Sequence, residues 1–271
     1  MQSIQQFNLE SGVDCGISQR LFFYGFMNKL MAVKFDFNKI KFATDEATFK
    51  RAIDLYEKDK VKQFEEGISS YTAVVEGTEP YQVFIEARQY GLGSCNCYLG
   101  QRDYLCKHIV AVSIYAVKEG KALSSEELKL NTTPKCSGKR GELSKTELSQ
   151  LKQSVSSAIR YIKPYIGPSR TWFAYQASLS EGCNRLFAII CQLPVSYQTA
   201  DLVVDLLLRL DKKLTSGGVD DSDGTVGDFI SEVVTVLEDF SKIDSSCIKA
   251  FEKLKNQETC FEWEEPLLML I

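Results

Sequence analysis

Ser94-Cys95-Asn96-Cys97-Tyr98-Leu99-Gly100-Gln101-Arg102-Asp103-Tyr104-Leu105-Cys106-Lys107-His108 presents two pairs of metal-ligating side chains, each pair split by one residue. Eight residues separate Cys97 from Cys106, and Gly100 lets the intervening loop turn back. Zinc prefers four soft or borderline ligands in a tetrahedron, and two close pairs joined by a loop deliver that geometry. His108 is the only histidine of the chain, and it falls two residues after a cysteine that itself follows a Cys-x-Cys pair. The competing reading, ordinary buried thiols and an incidental imidazole, leaves that placement to chance. Cys95, Cys97, Cys106 and His108 are therefore the expected ligands of one zinc ion. Four protein ligands leave no coordination position for water or substrate, which makes the ion structural and its binding energy folding energy. Three thiolates and a neutral imidazole around a divalent ion leave about one net negative charge, which Lys107 and Arg102 are placed to offset.

Upstream, three pieces read as strands: Val61 to Glu65, Tyr71 to Glu76 and Tyr81 to Arg88. Tyr71, Ala73 and Val75 share one face of the second, and Tyr81, Val83 and Ile85 share one face of the third. Gly77 to Pro80 is the turn between them, so a small antiparallel meander leads into the cysteines. Before it, Thr44 is the expected cap of a short helix with Asp45 and Glu46 in its first turn and Phe49, Ala52, Ile53 and Tyr56 on one face. Downstream, Ile109 to Lys118 is an apolar helical stretch ended by Gly120.

From Lys129 to Gly141 the composition turns to Thr, Pro, Ser, Gly and basic residues, the signature of a linker. Beyond Ser144 the pattern is helical. Leu148, Leu151, Val155, Ile159 and Ile162 make one stripe before Pro164, and Leu202, Val203, Leu206, Leu207 and Leu210 another. Further helices fit Trp172 to Leu193, Val226 to Phe240 and Cys247 to Lys255, a small array of antiparallel helices with no repeat at fixed period.

The chain of 271 residues is 44% apolar, enough for one large or two ordinary packed domains. Its formal charge of −4 provides no global attraction to nucleic acid or to an anionic membrane. The longest apolar run, Leu21 to Val33, is too short to span a bilayer and is interrupted by Asn28 and Lys29. No secretory signal is read, so a cytoplasmic, reducing location is expected, where nine cysteines serve metal ligation or burial rather than disulfides.

The Cys-x-Cys, eight-residue, Cys-x-His spacing, preceded by Tyr81-Gln-Val-Phe-Ile-Glu86 and followed by Ile109-Val-Ala111, resembles the SWIM-type zinc finger. The resemblance covers roughly Thr44 to Val117. Such fingers occur in chromatin remodellers, transposases, ubiquitin ligases and recombination accessory proteins, so the resemblance implies DNA binding or protein contact. The second half resembles the helical region of bacterial proteins that carry this finger.

Other candidate sites are weaker. Asp220, Asp221, Asp223 and Gly224 suggest a calcium loop, but with Gly224 at its sixth position the loop would begin at Val219 and end at Ile230, where carboxylates are needed. A polar turn with Thr225 as N-cap and Asp228 completing a capping box is the better reading. Cys183 and Cys191 are expected core thiols on one helix. Cys15, Cys136, Cys247 and Cys260 have no partner at ligand spacing. With the sole imidazole committed to metal, no Ser-His-Asp or Cys-His machinery is available, and Gly91-Leu-Gly93 does not open a helix as a phosphate loop does. No enzymatic activity is expected. Arg88, Arg102, Lys107, Lys118, Lys121, Lys135, Lys139 and Arg140, with Tyr90, Tyr98 and Tyr104, are the candidate nucleic-acid contacts. The competing reading makes them a solvated surface whose tyrosines cover the metal.

The expectation is thus an α+β chain: a tail at 1–30, a finger domain on a small antiparallel sheet at 31–128, a linker at 129–143 and an all-helical domain at 144–271. Its expected role is DNA or protein binding through the finger, with a protein partner on the helices. The alternative is a protein adaptor in which the zinc is purely structural and no nucleic acid is bound. Neither a membrane nor a small-molecule substrate is expected.

Overall fold

The computed structural model describes residues 33–129, 134–168 and 172–271, with only the backbone of residues 173 and 174. The expected tail at 1–30 and Cys15 lie outside these residues. The chain forms two units: the described residues up to Asp36 with Leu55–Gly120, and Phe37–Asp54 with Lys121–Ile271.

In the first unit, β1 (Val61–Glu66), β2 (Ser70–Glu76), β3 (Pro80–Glu86) and the two-residue β4 (Ser94–Cys95) form an antiparallel sheet in chain order. Tyr71 lies opposite Ile85, Ala73 opposite Val83 and Val75 opposite Tyr81, so the alternating apolar positions fall on one face in register. Helix α3 (Lys107–Lys118) packs on β2 and β3. Its residues His108 to Ile114 are all buried, which is why the sequence there is apolar around the whole helix. Each fully buried Val or Ile in this layer contributes about 1.5–3 kcal/mol relative to exposure. The helix closes at Glu119, which takes the left-handed conformation (φ 52°) and donates its N–H to the Tyr115 carbonyl, and Gly120 follows at φ 77°.

The second unit begins with α1 (Phe37–Ala43), which the sequence pattern does not announce, and with the first part of α2 (Glu46–Glu57). The α2 cap is Asp45 rather than Thr44: the Asp45 carboxylate accepts the Thr48 N–H at 2.9 Å, while Thr44 is buried. After α4 (Ser125–Leu128), the unit contains α5 (Lys145–Ile159), α6 (Trp172–Ile190), α7 (Tyr197–Thr215), α8 (Thr225–Ile243), α9 (Ile248–Phe251) and α10 (Glu265–Leu268). Helix α5 packs on α6, and α6 and α7 on α8, around Leu179, Leu186, Leu207, Phe229 and Phe240. Helix α1 joins them by packing on α6. Residues 37–54 thus belong with the helices, not with the sheet that follows them, because α1 finds its partners there.

Part of the stretch read as a linker is tied to the helical unit. Val195 donates to the Lys139 carbonyl at 2.7 Å, Gly141 donates to the Val195 carbonyl at 3.2 Å, and the Ser137 hydroxyl donates to the Leu193 carbonyl. Helix α8 also differs from expectation. Its N-cap is Gly224 (φ 77°), and the carboxylate of Asp221 accepts the N–H groups of Val226 and Gly227, each at 2.8 Å. A left-handed glycine turns the chain so that an upstream carboxylate reaches the open helix end, and Thr225 is the first helical residue. The expected helix from Cys247 to Lys255 is short: α9 lies between two 3₁₀ turns, Ser245–Cys247 and Glu252–Leu254.

Candidate metal centre

Cys95 ends β4, Cys97 follows it, Cys106 is the N-cap of α3 and His108 is in the first turn of that helix. A strand end, a loop and a helix start thereby converge on one point. The four ligand atoms lie within 4.8 Å of one another, and all four residues are buried. His108 turns Nδ1 toward the sulfurs, 3.7 Å from Cys95 Sγ and 3.9 Å from Cys106 Sγ. An ideal tetrahedral zinc site with ordinary Zn–S and Zn–N lengths has an S···N edge of about 3.6 Å. Donor chemistry and spacing therefore fit one zinc ion with all four positions filled by protein. When bound there, the ion supplies a crosslink between sheet, loop and helix.

The loop is shaped to solvate sulfur. The Cys97 N–H points at Cys95 Sγ (3.5 Å) and the Gly100 N–H at Cys97 Sγ (3.3 Å). Gly100 passes so close to Cys95 that a Cβ on it would lie 2.3 Å from the Cys95 carbonyl oxygen. Asn96, between the first two ligands, exchanges hydrogen bonds with the Gln82 backbone (2.9 and 3.3 Å) and accepts the Gln101 side chain on its carbonyl (2.9 Å). It thereby pins the Cys-x-Cys turn to β3, and nothing in residue spacing marks it for that role.

Within the coupled thiol pair, Cys106 is held down to about 4, first by the S–H that Cys95 donates to it and then by His108 and the Ile109 N–H, against the opposing effect of burial. Cys95, as the donor, is pushed up by that bond and by burial. Within this pair the negative charge falls on Cys106 and the proton on Cys95.

The outer nitrogen of His108, Nε2, is buried with no hydrogen-bond partner among the described residues. Metal-bound imidazoles ordinarily donate that N–H to a carboxylate or carbonyl. Here the ring instead stacks on Tyr81, with centroids 4.1 Å apart and planes inclined by 21°. Tyr81 is thus the aromatic cover of the ligand set. Tyr90 is buried against Phe35 instead, and Tyr98 and Tyr104 are 67% and 65% exposed. Arg102 lies 3.9 Å over the Tyr98 ring and donates to its hydroxyl, so the Arg102–Tyr98 pair is a feature of the loop surface. Lys107 is half-buried between the two ligands of its pair.

The candidate nucleic-acid contacts divide evenly between the units: Arg88, Arg102, Lys107 and Lys118 in the first, Lys121, Lys135, Lys139 and Arg140 in the second. Arg140 donates to the Ile243 carbonyl, which ties it to the end of α8. Cys183 is buried in the helical core, and burial pushes its thiol up. Cys191 departs from the core-thiol expectation: it lies just past α6, half-buried, and accepts the Lys135 N–H at 3.4 Å.

The fold and the ligand set define a zinc-finger protein with a closed, structural Cys3His centre. The family model for the SWIM zinc finger matches residues 81–116, from β3 through most of α3, and this stretch of the chain is a SWIM zinc finger. No curated protein and no solved structure matches the chain. Among the described residues no helix is long and apolar enough to cross a membrane.

Proposed function

We propose that this is a zinc-stabilised interaction protein that receives a protein partner on the loop between its two ligand pairs, acting by binding rather than catalysis. The observation that carries this reading is the exposure of Tyr98, Leu99 and Tyr104 (67%, 41% and 65%) on a loop anchored at both ends by metal ligands. A loop fixed in this way presents its side chains with little ordering left to do on binding. Exposed aromatic and apolar side chains beside an arginine have the composition of interface anchors. Charge supports the choice of a protein: in residues 33–36 and 55–120, ten acidic residues outweigh eight basic ones.

The test places a photo-crosslinking amino acid at Tyr104 of the zinc-loaded chain in its native cells. A discrete protein adduct that is lost with Tyr98→Ala supports the reading. DNA is the second reading, favoured by the Arg102–Tyr98 pair with Arg88 and Lys107 in the same unit. It takes over if labelled DNA binds with an affinity that falls steeply with salt and with Arg102→Ala.

A further inference from the structure

Between α5 and α6, on the helical unit, lies a cleft of about 790 Å3. Gln150, Gln153, Ser154, Ser157 and Gln192 line it, and none of these side chains makes a hydrogen bond among the described residues. Ala158, Ala188 and Ile189 supply an apolar strip. Among the described residues its charged lining consists of Arg160 and Arg185, with no carboxylate. The sequence is depleted of acid there: from Leu148 to Ser180 there is no Asp or Glu, in a chain that has 36 of them.

Arg185 is fixed in place. Its Nε and Nη2 donate to Oε1 of the fully buried Glu181 at 3.1 and 2.8 Å, and its guanidinium lies against the rings of Phe42 (5.1 Å) and Tyr161 (4.8 Å). Lys39 pairs with the other oxygen of Glu181, so two cations share one buried carboxylate. Arg160 has no ion-pair partner among the described residues.

We propose that this cleft binds a carboxylate-bearing peptide segment of a partner protein. The two arginines take the acidic side chains, the glutamine carboxamides offer a donor and an acceptor each to the peptide backbone, and the Ala–Ile strip takes small apolar side chains. A peptide fits better than a nucleic acid strand, because both aromatic rings at the cleft, Phe42 and Tyr161, are already engaged by Arg185. The site is on the other unit from the finger loop and does not rest on the reading proposed for that loop.

The test is anisotropy of a rhodamine-labelled ten-residue peptide of alternating Glu and Ala against the zinc-loaded full chain. Comparators are the same peptide with Gln for Glu and a ten-nucleotide oligothymidylate. Saturable binding of the Glu peptide is expected, weakened at least tenfold by Arg160→Glu, tightened by Gln153→Lys and unchanged by Tyr104→Ala in the finger loop. The Gln153→Lys gain cannot come from misfolding. No saturable binding up to millimolar concentration, equal binding of the Gln peptide, indifference to Arg160→Glu, or preference for the oligonucleotide would each overturn the proposal, and the last would assign the cleft to nucleic acid.

Discussion

Tyr81 and His108 are stacked nearly parallel at 4.1 Å, so a strand residue holds the imidazole that completes the metal centre. Among the described residues His108 Nε2 has no hydrogen bond to fix the ring, and this contact takes over the orienting role that a carboxylate usually has. Tyr81→Ala should weaken zinc affinity by about tenfold, the lower end of the range for losing an outer-shell partner. Tyr81→Phe, which keeps the stack and loses only the hydroxyl contact to Thr78, should bind as the parent does. Competition with a chromophoric chelator measures both.

Gly100 is required by contact rather than by backbone angle. Its substitution by Ala would place Cβ 2.3 Å from the Cys95 oxygen and 2.7 Å from the Cys95 Cβ, neither of which can yield without moving a ligand. Gly100→Ala should leave less than one zinc per chain after purification, read by elemental analysis. Gly91→Ala, whose added carbon meets nothing within 4 Å, should retain full metal.

Zinc uptake should release protons. Cys95 is held above the ordinary thiol range and Cys106 down to about 4, so near neutrality the metal-free pair retains one proton, on Cys95. The metal binds thiolate, so affinity must fall as pH falls, by about tenfold per pH unit for each proton displaced. Calorimetric titration in buffers of differing ionisation enthalpy counts those protons. Affinity independent of pH between 6 and 8 would contradict the arrangement.

In the helical unit, Glu181 is fully buried and holds Lys39 and Arg185. Glu181→Ala removes the shared partner of both cations and should destabilise the unit by about 3 kcal/mol, the low end for breaking a buried pair because both cations reach solvent. Glu181→Gln, which keeps an acceptor for Arg185, should lose less. Urea unfolding followed by circular dichroism compares them.

Much of the finger was legible because its signals are local and periodic. Four ligands at fixed spacing, with a single histidine among them, needed no tertiary information, and alternation at Tyr71, Ala73 and Val75 matched the observed register. What the sequence concealed depends on backbone direction. Thr44 and Asp45 are both good caps, and only the path of the chain decides that Asp45 reaches the Thr48 N–H. The same holds for Asp221 over Thr225, where a left-handed Gly224 redirects the loop. Helix α1 was invisible because only two apolar residues, Phe37 and Ile40, are buried on it, and its ionic partner Glu181 is 142 residues away. Tyr81 read as one more strand residue, since a ring's neighbour across a helix start leaves no mark in spacing.

The chain passes from one unit to the other three times: after Asp36, within α2 after Asp54, and after Gly120. The two units therefore alternate along the chain like interleaved clauses, and no single cut separates one intact from the other. During synthesis α1 emerges well before α6, the helix it packs against, so its apolar face must wait while the finger is made. Shortened versions that begin at Lys121 would lack α1 altogether, and the native boundaries of these two halves are compositional in neither direction: they are set by which surfaces each helix ultimately covers.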